Sequence, residues 1–210
     1  MVSTNSSKIH TIASDSAQDV TGGTGTNSVI ISYLPDWDTK ETTETVTGDL
    51  NAGIAMSNSA VIIHRMKVVP QSTTTSVDGN VGTITATAAV DTTITAVILP
   101  NDGQTEMAIY GVPSVQDFYL TRWSANIDKA SGGTTTADFI LRVNPNPDIQ
   151  TLAFIRKQDI SLQSTGTNMF EKRYSCYPKF SGPCIIKIQG IASAADVDGE
   201  SGFDGFLANN

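Results

Sequence analysis

Asp78–Val97 reads DGNVGTITATAAVDTTITAV, a run without Lys, Arg, His or Cys, built from small and β-branched side chains around two acids. Branching at Cβ narrows χ1 and suits a pleated surface better than a helix. Such a run pairs and packs, but it carries almost nothing able to move a proton or hold a metal. The whole chain shares this character. Charged residues make up 16% and hydrophobic residues 39%, so the polar surface has to be drawn from Thr, Ser, Asn and Gly. A chain of 210 residues buries enough surface to fold without a metal or a disulfide, and its hydrophobic content argues against disorder.

The formal net charge is -8, and no Lys/Arg cluster offsets it. Phosphate backbones would repel such a chain, so no nucleic-acid partner is expected. No apolar run approaches the ~20 residues of a membrane span, so no membrane partner is expected either. The segment MVSTNSSKIHTIASDSAQD lacks the charged and apolar regions of an export signal. Cys176 and Cys184 flank CYPKFSGPC. A Pro/Gly reversal between them makes a hairpin disulfide conceivable, and two small buried thiols are the plainer reading without export.

No long segment keeps an uninterrupted 3.6-residue apolar period, whereas period two recurs. In VIIHRMKVV, Val61, Ile63, Arg65, Lys67 and Val69 alternate with Ile62, His64, Met66 and Val68. In ADFILRV, Ala137, Phe139, Leu141 and Val143 form one face and Asp138, Ile140 and Arg142 the other. In PCIIKIQGI, Cys184, Ile186 and Ile188 oppose Ile185, Lys187 and Gln189. Each reads as a half-buried strand. Further strands are predicted over 27–34, 42–47, 82–87, 92–99, 106–112, 117–126, 151–156 and 202–207. Turn chemistry separates them in PDWDTK, VDGN, PNDGQ, KASGG, NPNPD and STGTN. Many short strands with frequent turns predict an all-β fold, an antiparallel β-sandwich or jelly roll spanning 27–210. A polar N-terminal arm or edge strand is expected over 1–26, and a boundary between two β lobes is conceivable near 70–82.

The glycines of GGTGTN precede a strand-like SVIISYL and not a helix, and the GK[ST] ending is missing, so they read as a turn and not a phosphate cradle. His10 and His64 are far from each other and from both cysteines, which does not make a zinc set. No Ser sits in a GxSxG elbow. Asp196, Asp198, Glu200 and Asp204 cluster in DVDGESGFDG and invite a calcium reading, but counting from Asp196 an EF-hand would need Gly at Ser201 and Glu at Leu207. A solvated turn feeding the last strand is the plainer reading. Aromatic residues gather in DFYLTRW and FEKRYSCYPKF. By alternation Tyr119 and Trp123 share a strand face and would suit a carbohydrate groove, although large aromatics on strands generally belong to a core. Trp37, inside the turn-like PDWDTK, is the better candidate for an exposed contact residue. No catalytic residue, no metal site and no cofactor is predicted.

Several pieces in order, VIISYLPDWDTKETTETVTG, HRMKVV, NVGTITAT, GQTEMAIYGVPSVQDFYLTRWSANIDKASGG and GFDGFLAN, resemble a family of tailed-phage virion proteins from about Thr24 onward. The resemblance implies a non-enzymatic all-β virion component, a capsid decoration or cement protein. Its implied partners are the major capsid protein and copies of itself, as a homotrimer. Its implied place is the capsid exterior, after host cytoplasm during assembly. A tail, connector or fibre component and a host-glycan-binding β-sandwich are the alternatives. The strand faces of Val61 and Ile63 and of Ile62 and Met66, together with Trp37, are the expected contacts with other proteins.

Overall fold

In a computed structural model the described residues are 6–69, 79–90, 92–129, 134–149, 153–165, 168–195 and 197–210. The chain divides into two compact units, Met1–Met107 and Ala108–Asn210. The stretch 70–78, which holds most of the expected lobe boundary, lies outside the described residues.

The first unit contains β1 (His10–Ser14), β2 (Ser28–Leu34), β3 (Thr42–Thr47), β4 (Ile54–Ala55), β5 (Ile62–Val68), β6 (Ile84–Ala88) and β7 (Ile94–Ile98). They form two antiparallel sheets, ordered β4-β1-β6-β7 and β3-β2-β5. Ile12, Ile84, Ala86, Ala96 and Ile98 from one sheet and Val29, Ile31, Tyr33, Ile63 and Met66 from the other pack into one apolar cluster. The second unit contains β8 (Ile109–Val112), β9 (Gln116–Lys129), β10 (Thr136–Asn144), β11 (Ile155–Gln163), β12 (Met169–Arg173), β13 (Lys179–Ser181), β14 (Cys184–Ala192) and β15 (Val197–Asn209). Its sheets run β11-β10-β14-β8 and β12-β9-β13, with β15 on the other edge of β9. Phe118, Leu120 and Trp123 from β9 meet Phe139, Leu141, Val143, Cys184 and Ile186 in a second cluster.

All-β architecture is as expected, but the single sandwich or jelly roll is overturned. The strands are shared among four small antiparallel sheets, two in each unit, and not between the two large sheets of a jelly roll. The polar N-terminal arm is also corrected. His10–Ser14 is neither an arm nor an edge strand but an inner strand with β4 on one side and β6 on the other; His10, Ile12 and Ser14 form its buried face, and Ile12 enters the core fully buried.

What holds β1 there is the carboxyl group of Asp19, which is fully buried. Its Oδ1 accepts from the Thr26 and Val81 backbone N–H groups at 3.1 and 2.9 Å, and its Oδ2 from the Ser14 hydroxyl and the Gly82 N–H at 2.6 and 2.9 Å. Four donors from three chain segments therefore converge on one side chain, which is the condition for burying a carboxyl group at tolerable cost. The fit depends on glycine. A Cβ on Gly25 would lie 1.9 Å from Asp19 Oδ1, so the GGTGTN run is a turn wrapped around Asp19.

Bulges interrupt the strict period of two. Along β2 and β5, Ser32 pairs with Arg65 and Tyr33 with Ile63, leaving His64 as the extra residue. Its Nδ1 lies 3.1 Å from Glu41 Oε2. An extra residue reverses the facing of everything beyond it, so Ile63 joins Met66 and Val68 in the core, although strict alternation separates Ile63 from Met66.

Replacing Asp19 by Ala would strand three N–H groups and a hydroxyl away from water. We expect a loss of roughly 4 kcal/mol in chemical denaturation. Glu44 supplies a pH test. Burial pushes its carboxyl up, but the amides of Ser57 and Asn58 outweigh burial and hold it below its usual 4.5. A lowered folded value stabilises the fold above the unfolded value and ceases to do so as pH falls through the folded value. Glu44→Gln should therefore reduce stability at neutral pH, and the gap from the parent should close in melting curves taken below the Glu44 titration.

Candidate functional site

β9 is 14 residues long and β15 is 13. They pair almost throughout, with one interruption: Arg122 faces Asp204 and Leu120 faces Gly205, which leaves Thr121 extra on β9. Before the bulge Phe118 and Leu120 point into the core; after it Trp123, Ala125 and Ile127 do. Tyr119 and Trp123 consequently lie on opposite faces. Trp123 is buried and packs edge-on against Phe170 at 5.0 Å between centroids, which follows the core reading and leaves no shared groove face with Tyr119.

Tyr119 stacks instead on Phe206 of β15, its cross-strand neighbour, with centroids 5.1 Å apart and planes 11° from parallel. Tyr177 also meets Phe206, edge-on at 5.7 Å between centroids. Phe206 and Tyr177 remain 46% and 50% exposed. That is far more than ring packing within the unit would leave, and it is the feature of this face that most needs explaining.

One row further along the same face lies a band of charge. Arg122 sits between Asp204 on β15 and Arg173 on β12. Its Nε donates to Asp204 Oδ2 at 2.6 Å and its Nη1 lies 3.9 Å from Glu171 Oε2. Arg173 Nε donates to Glu171 Oε1 at 2.5 Å. The hydrogen bond from Arg173 holds the Glu171 carboxyl below its usual value and raises the guanidinium in turn. These pairs are solvated and add little to stability; their effect is to hold two guanidinium forks and two carboxylates in fixed order. An open depression of about 370 Å³ is lined by Thr121, Arg122, Arg173, Tyr174, Tyr177 and Asp204. Tyr174 is anchored by donating to Gln158 Oε1 at 2.6 Å, and burial raises its phenol above the usual value. Such a face can stack on apolar or ring groups and pair with charges of either sign.

The residues singled out in the sequence lie elsewhere. Trp37, Val61, Ile62, Ile63 and Met66 are all buried, with exposures of 7% or less. Trp37 is in the expected turn, organised by Asp36 Oδ1 accepting from the N–H groups of Asp38 and Thr39. Cys176 and Cys184 are free thiols, the first exposed and the second buried, and burial, aided by the charge of Asp117, pushes the Cys184 thiol up to about 12. Among the described residues no three His, Cys, Asp or Glu side chains are grouped to hold a metal. Asp196 lies outside them, and Asp198, Glu200 and Asp204 are strung along β15 opposite Asp128, Asn126 and Arg122. Alternation could not have found Phe206, Tyr177, Arg122 and Arg173 as a group, although both aromatic-rich segments that supply most of them stand out in the sequence.

No family model, no curated protein and no solved structure matches the chain. The resemblance to phage virion proteins is therefore corrected, and the capsid-decoration role drawn from it falls as well. The strands also form four small sheets and not the jelly roll expected beside that role.

The bulge carries its own test at Gly205. A Cβ there would lie 2.2 Å from the Phe118 ring and 2.5 Å from the Tyr119 carbonyl oxygen, whereas one at Gly202 would meet nothing within 4 Å. Gly205→Ala should cost about 2 kcal/mol in denaturant titrations and Gly202→Ala less than about 1 kcal/mol.

Proposed function

We propose that this chain is a non-catalytic structural module that acts by associating with copies of itself through the outer face of the β9 sheet. The observation that carries the reading is the exposed Tyr119–Phe206–Tyr177 cluster beside two arginines and two carboxylates. Tyr, Phe and Arg are the side chains on which protein interfaces concentrate their binding energy.

Charge favours a second copy as the partner. Across the whole chain acids outnumber bases by 21 to 13, so two copies repel at most approaches. Residues 108–210, however, hold 9 of the basic and 10 of the acidic side chains, and the band Glu171, Arg173, Arg122, Asp204 is balanced. A face with two arginines flanked by two carboxylates can pair each charge with its opposite on a rotated copy of itself, as a closed symmetric contact requires. The exposed rings supply the apolar area, and exchange of carboxylates between arginines of two copies sets the register.

Sedimentation equilibrium from roughly 1 to 100 μM tests this, since that range brackets a micromolar dissociation constant. The parent should associate reversibly, and Phe206→Ala should weaken association at least about tenfold with an unchanged melting midpoint. A parent that stays monomeric throughout that range, or a Phe206→Ala variant that associates equally well, overturns the reading.

A further inference from the structure

The opposite sheet of the second unit carries an unbalanced row of cations. Arg142 on β10 pairs in register with Lys187 on β14 and, on its other side, with Arg156 on β11. Directly opposed residues project to the same face with Cβ atoms roughly 5 Å apart, and like charges so placed repel. The core lies on the other side, where Leu141, Val143 and Ile186 pack. Three basic side chains thus stand abreast on the face turned away from it.

Only one of the three is neutralised. Arg156 donates to Asp159 through Nε and Nη2 at 3.1 and 2.5 Å. Among the described residues neither Arg142 nor Lys187 has a carboxylate partner, and the Nε of Arg142 is buried with no acceptor. Lys187 Nζ sits 4.1 Å from the centroid of the Phe154 ring, a contact that attracts a cation but neutralises nothing. Burial holds the Lys187 ammonium below its usual value, and the charge of Arg142 lowers it further. A chain this acidic has carboxylates to spare, yet among the described residues none is placed beside these two half-buried cations. Burying an unpaired charge costs several kcal/mol, so the arrangement is incomplete.

We propose that Arg142 and Lys187 form an oxoanion site, which takes a phosphoryl or carboxylate group supplied from outside the chain between the guanidinium and the ammonium. Arg142 offers its forked donors, including the unmet Nε–H, and Lys187 a point charge whose position Phe154 fixes. Arg156, already held by Asp159, adds long-range attraction.

The test is a thermal melt of the full chain with inorganic phosphate or with acetate against sodium chloride of equal ionic strength. An anion that binds the folded form alone raises the midpoint, by roughly 3 °C at tenfold excess over its dissociation constant. A rise with phosphate only assigns a phosphoryl ligand, and a rise with acetate as well assigns a carboxylate; both support the site. Lys187→Met and Arg142→Gln should each abolish the rise. A second readout needs no variant: the ε-methylene resonance of Lys187, titrated by NMR, should move to higher pH when the anion is present. Equal midpoint shifts in parent and variants, or a Lys187 titration unaffected by either anion, overturns the proposal.

Discussion

Strand β9 is the constraint on which the second unit depends. Its pairing with β15 on one edge and with β12 and β13 on the other makes it the spine of a sheet, and the extra residue at Thr121 divides it into halves of opposite facing. Without that residue Leu120 and Trp123 could not both enter the core, nor could Tyr119 and Arg122 both reach the outer face. The bulge is secured from both sides. The N–H of Tyr174 donates to the Thr121 carbonyl at 3.0 Å, and Gly205 leaves the room that the Phe118 ring and the Tyr119 carbonyl occupy. Candidate site and core are thus two consequences of one backbone irregularity.

In the first unit the comparable element is polar. Asp19 gathers donors from Ser14, Thr26, Val81 and Gly82, and Asn80 ties the same region to the Leu99 and Gly82 carbonyls and the Gly103 N–H. Small sheets leave many loop amides near the core, and each has to be satisfied. Buried side chains with several acceptor or donor positions do this where no strand is available to pair.

The two faces of interest in the second unit differ in how their charges are handled. On the β9 sheet two acids flank two bases and cancel them, leaving aromatic area as the attraction. On the β10–β14 sheet three bases are aligned and only Arg156 is matched. A balanced apolar face suits a macromolecular surface like its own, while an unmatched pair of cations suits a small anionic group.

Strand content, most strand positions and the placing of Arg142 and Lys187 on the face opposite Leu141 and Ile186 were legible in the sequence, because period two and β-branched composition are local properties of the chain. The two faces expected in ADFILRV and PCIIKIQGI are kept for that reason, although Ile140 and Ile185 on the second face are buried too. Sheet membership was not legible, since it rests on pairing between distant segments: a polar stretch such as HTIAS becomes an inner strand only when β4 and β6 flank it. Facing failed wherever a bulge intervened, at His64 and at Thr121, because one unpaired residue reverses every side chain beyond it and leaves no mark in composition. Tertiary structure alone therefore decided that Tyr119 and Trp123 face apart, that Phe206 and Tyr177 are surface, and that three cations share a row.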